Sequence, residues 1–242
     1  MPRNYTIQEI QSIVNSIKGN IETFITGVTD HVANEVVLVL GSTGSGKSTV
    51  MNMLAQKQMK ASHFKGAYRL DVIEELDSIV KNYAGEITAP GFLPMKIGHN
   101  SDSETKFPNY ITLNGKQLWD CPGFGDTRDP NVDISNMYYV HHILQEVAHA
   151  EGSVKFIVVQ DNAGTTTAGG KLFRDSVKTI CKMFPSQNIK SLVDATTFVF
   201  TKVPNTEVKN SEYLEDVLDR VTPDIIQKDE QRLVEFLNTM RI

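Results

Sequence analysis

Apolar residues recur at spacings of three and four from Ile7 to Val28 (Ile7, Ile10, Val14, Ile17, Ile21, Phe24, Ile25, Val28). That period predicts one helix with a single apolar face. Thr6 and Glu9 stand where a capping box would open it, hydroxyl and carboxylate each satisfying an orphan backbone N–H. The pattern then changes. Val36-Val37-Leu38-Val39-Leu40 is a continuous apolar run rich in β-branched residues, which predicts a central strand covered on both faces. A glycine-rich loop follows, then a helix from Lys47 to Lys57 with Val50, Met53 and Leu54 on one face. Leu70, Ile73, Leu76, Ile79 and Val80 predict a further amphipathic helix over 68–83. Pro90, Gly91, Pro94 and Gly98 mark a long loop reaching Pro108. Asn114-Gly115 between Tyr110–Leu113 and Lys116–Trp119 is a strong hairpin signal, because both turn residues tolerate positive φ.

After Asp120 the pattern predicts a Pro/Gly-rich loop and a helix over 135–150. A buried strand over 154–159, a helix over 172–184 and a third buried strand over 196–203 come next. Helices over about 212–221 and 224–240 close the chain. Such alternation predicts an α/β fold: a mostly parallel sheet with helices on both faces, the 110–113 strand antiparallel at one side, and an extra N-terminal helix. That first helix, within residues 1–33, reads most simply as lying on the core. A partner helix or a membrane surface is the sharper reading, and the membrane version is weakened because Lys18 is its only basic residue.

Composition narrows the class. The chain has 242 residues, 40% apolar and 22% charged, as in a globular protein large enough to bury a core. Lys+Arg 24 against Asp+Glu 29 gives a net charge of −5, which argues against a protein that coats nucleic acid. Cys121 and Cys181 make neither a disulfide framework nor metal-ligand spacing. No stretch reaches the length of a spanning helix, and the first twenty residues lack a signal peptide's apolar core. The expectation is a reducing, cytoplasmic setting.

Gly41-Ser42-Thr43-Gly44-Ser45-Gly46-Lys47-Ser48, followed by Thr49, fits G-x-x-x-x-G-K-[ST] fully. Glycines let successive N–H groups curl round an anion, and the helix N-terminus adds partial positive charge. Lys47 is expected to reach the β- and γ-phosphates, and Ser48 to place its hydroxyl on Mg²⁺. The loop follows a predicted strand and opens a predicted helix, the context the motif needs. Asp120-Cys121-Pro122-Gly123 ends another strand; Asp120 can hold Mg²⁺ through water, and the Gly123 N–H can meet a γ-phosphate because no side chain blocks the approach. Thr105, in the loop before the hairpin, can ligand Mg²⁺ when the γ-phosphate is present, with Ser101 and Ser103 competing for that role. His141 and His142 point about 100° apart on a helix and make poor metal partners.

Together, residues 41–49, Ser103-Glu104-Thr105-Lys106 and Asp120–Thr127 resemble the septin-related GTPases: septins, immunity-associated GTPases and chloroplast import-receptor GTPases. The resemblance covers roughly residues 34–203. It implies a P-loop NTPase three-layer sandwich over 34–242 (a G domain), with GTP or GDP and Mg²⁺ as ligands. It also implies nucleotide-dependent self-association, as a homodimer or oligomer through the nucleotide face. Two departures stand out. The family's guanine motif, Asn/Thr-Lys-x-Asp, is matched by Thr201 and Lys202, but Pro204 replaces the carboxylate that reads guanine. The family's strand after that motif has no counterpart in the helical pattern of 212–242. An ATP-driven P-loop enzyme and a nucleotide-insensitive interaction module therefore stay open as rivals. Phe124 stands where many GTPases have a water-orienting Gln, so turnover is expected to be slow. Arg128, in the same loop, is the candidate to supply charge across a dimer surface.

Overall fold

The structure, a computed structural model, describes residues 6–28, 32–64, 67–72, 80–81, 87–88, 108–121, 130–203, 210–226 and 231–241. In chain order the elements are α1 (Ile7–Val28), β1 (Glu35–Leu40), α2 (Lys47–Leu54), β2 (Met59–Phe64), β3 (Ala67–Val72), β4 (Val80–Lys81), β5 (Ile87–Thr88), β6 (Asn109–Leu113) and β7 (Lys116–Asp120). Then come α3 (Pro130–His149), β8 (Ser153–Asp161), α4 (Asn162–Thr166), a 3₁₀ turn (Thr167–Gly170), α5 (Lys171–Met183), α6 (Ile189–Asp194), β9 (Thr196–Thr201), α7 (Asn210–Ile226) and α8 (Gln231–Thr239).

One sheet organises the domain, in the order β6-β7-β1-β8-β9. β7, β1, β8 and β9 run parallel and β6 alone is antiparallel, paired with β7. Alternation along β1 explains its unbroken apolar run. Val36, Leu38 and Leu40 face a large core with Trp119, Tyr139, Ile143, Phe156, Val177 and Phe236. Val39 turns to the other face, against Val50 and Met51 of α2, Ile111 and Leu118. Helices therefore lie on both faces, as the alternation of elements predicts, and the architecture is that of a P-loop NTPase. At the β6–β7 turn, Asn114 and Gly115 have φ of 50° and 77°. Both are positive, as a two-residue hairpin of matching twist requires.

The capping box forms: Glu9 N–H donates to Thr6 Oγ1 at 3.2 Å and Thr6 N–H to Glu9 Oε2 at 2.8 Å. α1 lies on α3, with the fully buried Phe24 ring 4.5 Å from that of Tyr139. The connection to β1 is tied down where the Ala33 N–H donates to Gln117 Oε1 at 2.9 Å. Towards the other end of α1, Ile7, Ile10 and Val14 are exposed. Among the described residues no helix is long and apolar enough to cross a membrane.

Some elements differ from the sequence expectation. The helix expected over 68–83 is absent at both ends: 67–72 is a strand, antiparallel to β2 with Phe64 opposite Ala67, and 80–81 pairs with β5. Residues 73–79 lie outside the described part. Antiparallel pairing with β2 overrides the helical spacing of 70, 73, 76, 79 and 80 here, as tertiary context can override local pattern. α7 continues through Asp224, where a second helix was expected to start, and α8 begins at Gln231. The short α4 and α6 have too few residues to register a period.

Candidate nucleotide site

Among the described residues the candidate chemistry gathers at the C-terminal edge of the parallel strands, where open α/β sheets bind ligands. β1 delivers residues 41–46, β7 delivers Asp120, β8 delivers Asp161, and β9 delivers Thr201 and Lys202. The loop from Gly41 to Gly46 is built on three left-handed or otherwise glycine-demanding positions: Gly41 (φ 149°), Gly44 (φ 78°) and Gly46 (φ 99°). Gly41 also needs to be bare, since a Cβ there would lie 2.2 Å from the carbonyl oxygen of Val159. Gly46 is the N-cap of α2 and offers no side-chain cap, so the helix's first N–H groups remain available to an anion.

Lys47 is only 7% exposed. Its Nζ donates to the carbonyls of Gly41 and Ser42, each at 3.1 Å. The ammonium thus closes the loop on itself at the place a phosphate would sit. Burial pushes the Lys47 pKa down, opposed by the nearby Asp120 carboxylate. Asp120 is pushed the other way, its pKa raised by burial and drawn down by Lys47 and by the Ser48 hydroxyl. Water has been withdrawn from both charges.

Ser48 Oγ donates to Asp120 Oδ2 at 2.7 Å. The two residues the sequence assigns to Mg²⁺ are 72 positions apart in the chain and in contact in the fold. Asp120 Oδ1 is buried with no hydrogen-bond partner. An orphaned carboxylate oxygen beside a hydroxyl is an all-oxygen donor set suited to Mg²⁺, which takes few protein ligands. Thr43 Oγ1 and Ser45 Oγ are likewise buried without partners on this loop. Among the described residues no cluster of three or more His, Cys, Asp or Glu could hold another metal.

Thr201 and Lys202 grip the loop from outside. Thr201 Oγ1 donates to the Ser45 carbonyl at 2.6 Å, and Lys202 Nζ to the Gly44 carbonyl at 2.7 Å. Lys202 also pairs with Asp161 Oδ2 at 3.4 Å. These contacts give the two residues a phosphate-loop role in addition to any contact with a base. Asp161 carries no sequence motif; its only signal is a carboxylate closing a buried strand before Asn-Ala-Gly. Thr49 is half-buried in α2. Thr105, Gly123, Phe124, Arg128 and Pro204, with Ser101 and Ser103, lie outside the described residues.

No family model matches the sequence, and no curated protein does. Among solved structures the chain is similar to a dimerization-deficient mutant of Toc33 from Arabidopsis thaliana. The identity is 16%, 91% of this chain and 75% of that chain are covered, and the TM-score is 0.38. A likeness that loose adds nothing to the strand order and the loop geometry.

Proposed function

We propose that this protein is a Mg²⁺-dependent guanine-nucleotide-binding domain, residues 34–242, with the helix of 1–33 appended. It hydrolyses GTP to GDP slowly and is regulated by nucleotide-dependent self-association. The observation that carries the nucleotide reading is the Ser48–Asp120 contact beside a buried Lys47 in an intact phosphate loop. Lys47 would exchange its two loop carbonyls for phosphate oxygens. The N–H groups of the loop and of the first turn of α2 would hold the β-phosphate. Ser48 and Asp120 would hold Mg²⁺, which supplies charge neutralisation across the phosphate oxygens when bound. Thr105 and the Gly123 N–H would sense the γ-phosphate. The guanine assignment is supported by the Thr201-Lys202 pair and by the resemblance of the three motifs.

Pro204 favours a second reading for the base. A carboxylate at that position would accept two guanine N–H bonds, and proline offers no acceptor side chain. GTP is therefore expected to beat ATP by well under the 10⁴–10⁵ reachable when a polar group is specifically paired. The test is titration of labelled GTP, ATP and GDP, with and without Mg²⁺. Mg²⁺-dependent binding with GTP ahead supports the proposal. Equal ATP and GTP affinity favours the ATPase alternative, and binding of neither leaves an interaction module. Pro204→Asp should raise the guanine preference. Phe124 lacks the polar atom that would orient a water, so intrinsic turnover is expected near or below ~10⁻⁴ s⁻¹.

A further inference from the structure

The carbonyls of Gly44 and Ser45 are both pulled outward, onto Lys202 Nζ and Thr201 Oγ1. In a trans peptide the C=O and the next N–H point in opposite directions. Pinning the Ser45 carbonyl therefore turns the Gly46 N–H to the loop interior, where an anion would sit. Lys202 pins the peptide before it: with the Gly44 carbonyl held, the Ser45 N–H lies on the Ser42 carbonyl at 3.2 Å and closes the loop.

Lys202 is not held by its own backbone preference. Its φ is 53°, a left-handed value that a non-glycine residue keeps only when its surroundings impose it. Its long side chain is 61% exposed and would be free to wander. Two contacts stop it: the Gly44 carbonyl at 2.7 Å and Asp161 Oδ2 at 3.4 Å. Asp161 is itself fixed from the other side. Its Oδ1 accepts from the Gly164 N–H at 2.8 Å and N-caps α4, and its Cα pairs with Thr201 across the β8–β9 ladder. The carboxylate is split: one oxygen holds a helix start and the other holds the lysine that clamps the phosphate loop.

We propose that Asp161 is a positioning residue for nucleotide binding, acting through Lys202 on the Gly44–Ser45 peptide of the loop without touching the nucleotide. This rests on the reading of the loop as a nucleotide site. It adds that the end of β8, through one ion pair, fixes the Gly44–Ser45 peptide whose N–H closes the loop onto the Ser42 carbonyl.

Asparagine caps a helix as well as aspartate does. Asp161→Asn therefore keeps the Gly164 contact and α4 while removing the charge that holds Lys202. The first measurement is hydrogen exchange of peptides spanning 41–47 in the ligand-free protein, for wild type, Asp161→Asn, Lys202→Met and the double variant. Both single variants should exchange faster than wild type at unchanged melting temperature, and the double variant no faster than Lys202→Met alone. Wild-type exchange in Asp161→Asn, or additive effects in the double variant, would overturn the proposal.

The second measurement is affinity for Mg²⁺ with labelled GTP and with labelled ATP. Loosening an exposed pair predicts a loss of about two- to fivefold. The factor should be the same for both bases, since the action is on the phosphates, and Asp161→Glu should recover most of it. A loss confined to GTP would mean that Asp161 touches the base, which also overturns the proposal. If wild type binds neither nucleotide, the nucleotide reading fails by itself, and the exchange measurement still decides whether Asp161 shapes the loop.

Discussion

Lys47 is a charged side chain that the ligand-free fold accommodates at a cost. Its folded pKa lies below the value it has in the unfolded chain. Folding therefore has to desolvate an ammonium at every pH below the depressed value, and that cost fades as pH rises through it. Lys47→Met keeps the stem and removes the charge. The same variant should lose nucleotide affinity by roughly 10- to 150-fold, the value of one charge-assisted contact. Wild-type affinity in Lys47→Met would contradict the assignment. Burial also drives both thiols up: Cys121 strongly, aided by the Asp120 carboxylate and opposed by Lys47, and Cys181 to a lesser degree. Raised pKa values leave less thiolate at pH 8 than a free cysteine has. A colorimetric disulfide reagent should therefore label the native protein slowly at pH 8 and both thiols promptly in denaturant. At this scale the phosphate loop was legible because each type is demanded locally: glycine by φ, lysine by charge, serine by its oxygen. Val159, Asp161 and the grip of Lys202 were not. They act across 41 to 158 positions, and no local pattern encodes which strand end lies beside the loop.

Elements here are joined tightly where the loop leaves β1. A methyl on Gly41 would have to occupy space 2.2 Å from the Val159 carbonyl, at a φ of 149° that disfavours any side chain. Nothing flexible is available to give way, since the obstacle is backbone in the neighbouring strand. Gly41→Ala should cost about 3 kcal/mol or more of stability, in the range of overpacking and backbone strain combined. It should also remove nucleotide binding by shifting the loop; denaturant melts and the labelled-nucleotide titration would check both. Hairpins show why some elements can be read from sequence and others cannot. Asn114-Gly115 names its own turn type, and β6–β7 follows with the register that turn dictates. Lys65-Gly66 gives a weaker signal, and the apolar spacings 70, 73, 76, 79 and 80 follow a helical period. Pairing with β2, which depends on where the chain turns back, decides the outcome at 67–72.

For the whole molecule the questions are whether α1 belongs to the folding unit and whether two molecules act together. Phe24 is fully buried against Tyr139, and α1 covers part of α3, the helix that follows the Asp120–Thr127 motif. Phe24→Ala should therefore destabilise the entire domain by about 3–5 kcal/mol, in one cooperative transition. An early separate transition would mean that α1 is a detachable arm. If the protein hydrolyses GTP as proposed, Phe124 would give an attacking water no polar partner, and the transition-state charge would need a group from elsewhere. Arg128 follows Asp126-Thr127 in a stretch of sequence rich in Pro and Gly, within a few residues of Gly123, the proposed γ-phosphate sensor. An arginine placed across an interface can raise turnover by ~10³–10⁵. If two nucleotide faces meet, GTP hydrolysis per molecule should rise with protein concentration in wild type and stay flat in Arg128→Ala, while GTP affinity is the same in both. A flat wild-type rate, or a full rise in the variant, would leave Arg128 as an ordinary solvated loop charge.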